Sequence, residues 1–376
     1  MKILYLGDDF VHSTSAHRAE ALRRLGHAVV GFNPRAHIPR HRIVSGLNVR
    51  TGFRLFAPWV GARVRAGIEA HLRTLGEPGF DLAWVDGCPE LPVTFYRWMK
   101  DRGIPVVCYN IDDPFGNRDR RKWDLLRQAV PFHALTVVVR EENLAEARQF
   151  GARRVVRVYR SFDPVAHAPV ALTDEDQRRW SSEVAFVGTW MPERGPFMCR
   201  LLDLGVPLTI WGDLWHKAPE WSRLQSCWRG PAVYGPDYIK AIQCAKIALG
   251  LLSRGNRDLH TTRSAEVPFI GGAVFCAQRT PEHSFLFEDD REALLWSTAG
   301  ECAGRCQELL TDASRRRQMA EAARHRIVAH RLSNDEVLAM ILARALSEDP
   351  AAAGVRLSPG QAKIARGASL DLTVSG

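Results

Sequence analysis

"EVAFVGTW", Glu183–Trp190, decides the fold, because it starts a pattern that the chain has already run through once. Its apolar run ending at a glycine reads as a strand buried on both faces. A helical pattern over Pro196–Leu204 follows, then the strand "PLTIWGD" (207–213), a helix over Pro236–Ala245, and the strands "KIALGLL" (246–252) and "AVFCA" (273–277). Working outward to the amino terminus, "KILYLG" (2–7) is a strand and Ser15–Gly26 a helix with Ala19, Leu22 and Leu25 at helical spacing. "HAVVGFN" (27–33), "DLAWVDG" (81–87), "IPVVCYNIDD" (104–113) and "ALTVVV" (134–139) continue the series, with helical stretches at Pro92–Arg102 and Glu141–Phe150. Strands separated by helices imply βαβ units and a parallel sheet. The expected class is therefore α/β, with two parallel-sheet domains and a helical segment at the carboxyl end. The expected boundaries are 1–172, 173–346 and a loose Ala-, Gly-, Ser- and Pro-rich tail over 347–376, with Thr173–Ser182 as an interdomain linker.

Composition narrows the partners. Lys and Arg number 51 against 42 Asp and Glu, a formal net charge of +9, which favours anionic ligands such as nucleotide phosphates, acidic polymers or a membrane surface. The eight cysteines form no CxxC pair, and Cys302 with Cys306, one helical turn apart, lacks the second ligand pair of a strong metal site. Nothing has the length of a membrane span, and Met1–Gly7 is a strand rather than a leader peptide. These features suit a cytoplasmic enzyme with reduced thiols, with contact to a membrane surface left open.

The chemistry concentrates in "RDLHTTRSAEVPFIGG", Arg257–Gly272. It follows the strand "KIALGLL" and leads into an expected turn at Val267–Gly271, so its polar groups lie at the carboxyl end of a strand, where parallel sheets bind ligands. Asp258 and Glu266 stand eight residues apart with Arg263 between them. An acid can hold paired sugar hydroxyls and an arginine can fork onto phosphate, a combination suited to a nucleotide sugar. The plain alternative is an Arg263–Glu266 salt bridge capping a surface helix.

"TTRSAEVPFIGG" followed by "QRTPEHSFLFEDDREALLW" resembles the signature of CgeB-type (spore maturation protein) glycosyltransferases, approximately R-x-F-E-I-P-A-x-G-G and then E-R-T-x-E-H-x-x-L-F. "HRAEALRRLGH", "NIDDPFGNRD" (110–119), "SFDPVAHAP" (161–169) and "HRLSNDEVLAMIL" agree with it, so that the resemblance covers roughly residues 1–345. It implies the GT-B architecture of two Rossmann-like parallel-sheet domains facing across a cleft, with the nucleotide-sugar donor mainly on the carboxy-terminal domain and the acceptor mainly on the amino-terminal one. It also implies metal-independent hexosyl transfer with no cofactor, from a UDP-sugar first and a GDP- or dTDP-sugar as alternatives, to a glycan, lipid-linked or small-molecule acceptor. By position, the resemblance puts Glu266 on the ribose, Asp258 against the transferred sugar, Arg263 on the diphosphate and His260 on the diphosphate or the sugar. The relatives carry Glu where this chain has Asp258, which leaves retention and inversion both open.

Further candidates surround this loop. Gly188 and Thr189 could offer amides to phosphate while Arg194 supplies charge, and Trp211 with Gly212 could wall the base. An ordinary turn, a solvated arginine and a core tryptophan are the plain alternatives. In the amino-terminal half no G-x-G-x-x-G follows the first strand, which argues against a dinucleotide. There His12, Ser13, Thr14 and His17 are expected to line an open polar loop on the acceptor side. Asp112 is the first candidate for the base and His12 the second, whereas the Asp-Pro context of Asp113 favours a turn.

Arg35, Arg40, Arg42, Arg50, Arg54, Arg63 and Arg65, interleaved with Trp59 and Phe residues, suggest a rival class: binding to an anionic membrane surface, or more remotely to nucleic acid. No nucleic-acid-binding motif accompanies them. A non-catalytic nucleotide-sugar binding protein is the second rival.

Overall fold

The computed structural model of the protein describes residues 1–38, 46–47, 50–76 and 79–347. The chain forms two compact units, one of residues 1–159 and 255–257 with the segment from 334 onward, the other of residues 160–254 and 258–333. Arg40, Arg42 and the expected tail beyond Ser347 lie outside the described residues.

The first unit is built on a six-stranded parallel sheet in the order β2-β1-β3-β4-β5-β6. Its strands are β1 (Lys2–Leu6), β2 (Ala28–Phe32), β3 (Leu82–Asp86), β4 (Val106–Tyr109), β5 (Leu135–Val138) and β6 (Val155–Arg157). Leu4 sits between Val30 and Ala83, and every residue of β3 is buried, as a strand covered on both faces requires. The helix Ala57–Leu75 turns Val60, Val64 and Ile68 into this core at successive i+4 positions. It ends at Gly76, whose φ of 63° a side chain would resist.

The last described helix, Asn334–Leu346, belongs to this first unit. Arg24 grips Asp335 with two bonds of 2.9 and 2.8 Å, and Arg154 donates to the carbonyls of Arg344 and Ala345. Val337, Leu338 and Ile341 are buried, as the spacing predicts.

The second unit carries the order β12-β11-β10-β7-β8-β9, all parallel. The strands are β7 (Ser182–Val187), β8 (Leu208–Trp211), β9 (Trp228–Gly230), β10 (Ala245–Gly250), β11 (Val274–Gln278) and β12 (Leu294–Trp296). Leu309, Met319 and Ile327 are buried here, while Leu310 is half-buried.

Two stretches differ from the sequence reading. Thr173–Ser182 holds a helix, Asp174–Trp180, instead of a linker: the Thr173 hydroxyl accepts from the Asp176 amide and the Asp176 carboxylate from the Thr173 amide, a reciprocal cap. Val267–Gly271 is not a turn but the end of the helix Arg263–Ile270, which carries Pro268 inside it and gives way to Gly271 and Gly272 at φ of 75° and 85°.

Both sheets have a switch point where the strand order reverses. In the first, β2 lies on one side of β1 and β3 on the other; in the second, β8 and β10 flank β7. Ligands of open α/β sheets bind outside the carboxyl ends of the strands at such points.

Candidate functional site

At the β7/β10 switch point the bridging residue is Arg194, which begins the helix Arg194–Asp203. It donates to the carbonyl of Thr189, just after β7, at 2.6 Å and to that of Leu251, just after β10, at 3.2 Å. Its guanidinium lies 5.3 Å from the centre of the Phe186 ring, so carbonyl dipoles and a ring face support the buried charge. The Gly188 amide donates to the Trp211 carbonyl at 2.8 Å, and the Gly188 carbonyl receives the Trp215 indole at 2.9 Å. Gly212 lets the ends of β7 and β8 meet, since a Cβ there would lie 2.0 Å from the Gly188 carbonyl oxygen. The half-buried Trp211 packs on Trp180 with ring centres 4.8 Å apart.

The loop after β10 is held from several directions. Arg160 donates to Asp258 at 2.9 Å, and both side chains are buried. Its backbone amide donates to His260 Nε2 at 2.9 Å, so the imidazole carries its proton on Nδ1 and gives it to the Glu282 carboxylate. Ser264 donates to His283 Nε2 at 2.8 Å, while His283 Nδ1–H donates to the Gln278 carbonyl at 2.7 Å. Thr280 caps the helix Pro281–Leu286 and reaches the Leu259 carbonyl at 2.6 Å. "QRTPEHS" is therefore a frame for the loop over 258–264. His260, with both ring nitrogens engaged inside the protein, is part of that frame.

Arg263 opens the helix Arg263–Ile270, lies 4.5 Å from the Tyr238 ring centre, and donates to Glu266 at 2.5 Å and to the Val187 carbonyl at 3.3 Å. The salt bridge weighed from sequence is present, but one partner is inside: the Glu266 side chain is 2% exposed and that of Arg263 33%. Tyr238 donates to Glu266 at 2.8 Å, and His167 Nε2 lies 3.4 Å from its other oxygen. The Asp163 amide donates to His167 Nδ1 at 2.9 Å, which leaves the imidazole proton on Nε2, facing the carboxylate. Burial alone would push the Glu266 carboxyl up, yet His167, Arg263 and the Tyr238 hydroxyl together hold it below the usual glutamate range. Arg263 remains the partly exposed cation of this cluster.

In the first unit, Ser13 caps the helix Thr14–Arg24, accepting the Ala16 amide at 3.0 Å. Thr14 and His17 lie on that helix rather than in an open loop, and His12 packs edge-on to Phe10. Asp112 is about one-third exposed and 3.4 Å from Lys122. Asp113 is buried and accepts from Gly116 N at 2.9 Å, Asn143 at 2.9 Å and Arg257 at 2.6 and 2.8 Å. Arg257 also grips Glu146, so Asp113 anchors a loop through an ion-pair network.

Arg160, His167, Tyr238 and Glu282 come from four separate segments and converge only through the fold; His167 and Glu282 lie within "SFDPVAHAP" and "QRTPEHS", where the sequence reading gives them no role. In the first unit, Arg18 forks onto Asp86 with two 2.7 Å bonds, and Tyr5 adds a third at 2.8 Å. Cys276 brings its sulfur within 3.9 Å of both Cys302 and Cys306, inside the core of the second sheet. Of the basic residues, Arg54 pairs with Asp124 at 3.3 Å, Arg65 with Glu69 at 2.9 Å, and Arg63 stacks on Trp59. Among the described residues no helix is long and apolar enough to cross a membrane.

Solved structures share the fold at low identity. Sucrose-phosphate synthase (tll1590) from Thermosynechococcus elongatus is 12% identical over 92% of this chain and 98% of that one, with a TM-score of 0.62. Anabaena Alr3699/HepE in complex with UDP-glucose is 15% identical over 91% and 99%, with a TM-score of 0.57. The α,α-trehalose 6-phosphate synthase from Burkholderia multivorans is 13% identical over 91% and 97%, with a TM-score of 0.56. No curated protein matches the chain. Two six-stranded parallel sheets with flanking helices give this chain the GT-B fold, and its residues 194–342 match a family model described as glycosyl transferase-like.

Proposed function

We propose that the protein is a CgeB-type glycosyltransferase of the cytoplasm that moves a hexosyl unit from a nucleotide diphosphate sugar to a hydroxyl of a glycan, lipid-linked or small-molecule acceptor, without a metal. The donor is a UDP-sugar ahead of GDP- or dTDP-sugars. One observation carries the reading: at the carboxyl end of β10, Arg263 is partly exposed beside the buried Glu266, within a glycosyl transferase-like domain. The second unit takes the donor and the first unit the acceptor.

In this reading Glu266 accepts a ribose hydroxyl, and Arg263 pairs with the diphosphate. Departure of the nucleotide builds negative charge, which a fixed guanidinium stabilises without reorganisation. Arg194 donates to two carbonyls, and it contributes positive potential at the β7/β10 switch point and holds the ends of those strands. Gly188, Thr189, Trp211 and Gly212 shape the neighbouring wall, and Asp258 and His260 stiffen the loop. His12, Ser13, Thr14, His17 and Asp112 border the acceptor side, and the acceptor proton passes to a carboxylate at the carboxyl edge of the first sheet.

The test is calorimetric titration with UDP, GDP, dTDP and UDP-glucose, followed by assay of donor consumption. Saturable binding with turnover is expected. Binding without turnover under any acceptor would make the protein a sugar-nucleotide binder, and no binding to any nucleotide would end the proposal.

A further inference from the structure

The helix Ala57–Leu75 of the first unit buries Val60, Val64 and Ile68, and its opposite face is not the polar one a surface helix ordinarily shows. Trp59, Ala62, Ala66 and Ala70 follow one another there at spacings of three and four, all exposed, with Trp59 half open to solvent. Leu55, just ahead of the helix, is 56% exposed. At 3.6 residues per turn, Arg63 falls on one side of this apolar row and Arg65 on the other, with Arg73 continuing it.

The charge on this face is one-sided. Glu69 is the one acid of the helix. Arg65 holds it at 2.9 Å and Arg102 stands 3.9 Å away, and Arg65 first, then Arg102 and Arg73, keep its carboxyl below the usual glutamate range. Arg65 and Arg102 both lie against the Trp98 ring, at 5.3 and 4.4 Å, which joins the end of the helix Val93–Asp101 to the same surface. Arg63 stacks on the exposed Trp59 at 4.3 Å and has no acidic partner among the described residues. Four guanidinium groups thus surround one carboxylate beside an uncovered apolar row.

A second copy of the chain does not suit such a face, because a two-fold contact would set arginine against arginine. A nucleic acid would answer the charge and leave Leu55 and the alanines without a partner. A bilayer with anionic headgroups answers both features. We propose that this face docks the first unit on an anionic phospholipid bilayer, the helix Ala57–Leu75 lying in the plane of the headgroups. Trp59 and Leu55 enter the boundary between headgroups and acyl chains, where an indole is at home, and Arg63, Arg65, Arg73 and Arg102 pair with lipid phosphates. Docking is independent of donor chemistry and is measured without any nucleotide.

The full chain is sedimented with vesicles of phosphatidylcholine alone and with vesicles that also contain phosphatidylglycerol. Binding is expected on the mixed vesicles, weakening as salt rises, with little on the neutral ones. Arg63→Ser and Arg73→Ser should each lower the partition coefficient about fivefold, the worth of one cation at such a surface. The double variant Leu55→Ser, Trp59→Ser should lower it about tenfold or more. All these positions are exposed, so melting temperatures should stay at the wild-type value. Arg291→Ser, on the second unit and 71% exposed in its side chain, removes the same charge elsewhere and should leave vesicle binding intact. Equal binding to neutral and mixed vesicles, wild-type binding in the double variant, or a loss in Arg291→Ser matching that in Arg63→Ser would each overturn the proposal. So would binding of duplex DNA or RNA through the same arginines with none to vesicles, or a dimer that the double variant dissolves and that ignores lipid.

Discussion

His260 gives its Nδ1 proton to the carboxylate of Glu282, so that a helix 22 residues further along the chain fixes the loop after β10. The imidazole thereby stands in one tautomer, with Nε2 receiving the Arg160 amide. Glu282→Ala should leave that ring without its acceptor and loosen the whole of 258–264. The expected cost is about 1–3 kcal/mol of stability, with a several-fold loss of UDP affinity. Urea unfolding together with UDP titration checks it; unchanged values for both would remove Glu282 from the frame.

Glu266→Ala should weaken UDP binding by about 1–3 kcal/mol, the worth of a hydrogen bond to a charged group. Because Tyr238 and His167 lose their common acceptor, the melting temperature should drop as well. Glu266→Gln retains much of the shape and should recover stability ahead of affinity. Titration calorimetry on the two variants separates the roles, and an unaltered Kd in both would take Glu266 off the ribose.

Arg263→Ala should lower both UDP affinity and turnover, whereas Arg263→Lys should recover part of the affinity and little of the rate, since an ammonium lacks the planar fork. Normal steady-state kinetics in the alanine variant would end the phosphate role.

Acid should destabilise the protein through two buried histidines. Burial lowers His133 to about 3 and His283 to about 4. The unfolded chain binds protons at these histidines below about 6.5, while the folded one stays neutral until those lower values. Their contribution is therefore whole above pH 6.5 and is lost as pH falls toward 4 and then 3, by about 1.4 kcal/mol per pH unit for each histidine. Denaturant midpoints measured at pH 7 and pH 5 should show this slope, and His283→Gln should flatten it. A slope indifferent to that substitution would contradict the assignment.

The alternation of strands and helices was open to sequence reading because both sheets are parallel and their central strands are buried on both faces, which writes those strands as apolar runs. Strands β6, β9 and β12 escaped because three residues carry no period. Val267–Gly271 reads as a turn because a proline followed by two glycines looks like a stop, yet the fold keeps Pro268 inside the helix Arg263–Ile270. At the candidate site, Asp258, His260, Arg263 and Glu266 stood out as a dense polar run on one segment. Arg160, His167 and Tyr238 did not, since proximity across the fold leaves no spacing to read.

Gly272→Ala should cost about 1–3 kcal/mol. The residue sits at φ of 85°, and an added Cβ would lie 2.6 Å from the Gln243 carbonyl oxygen, which is backbone and cannot swing aside. Thermal denaturation measures the loss, and a melting temperature equal to wild type would show that the strand entry relaxes freely.

The attachment of Asn334–Leu346 to the first unit constrains how the protein is made. A ribosome passes residue 159 some 187 residues before it has finished that helix, a wait of roughly ten to forty seconds at ordinary elongation speeds. Throughout this interval the nascent amino-terminal lobe lacks the partner for Arg24 and Arg154. Truncation before Asn334 would therefore injure the half of the molecule that was synthesised first.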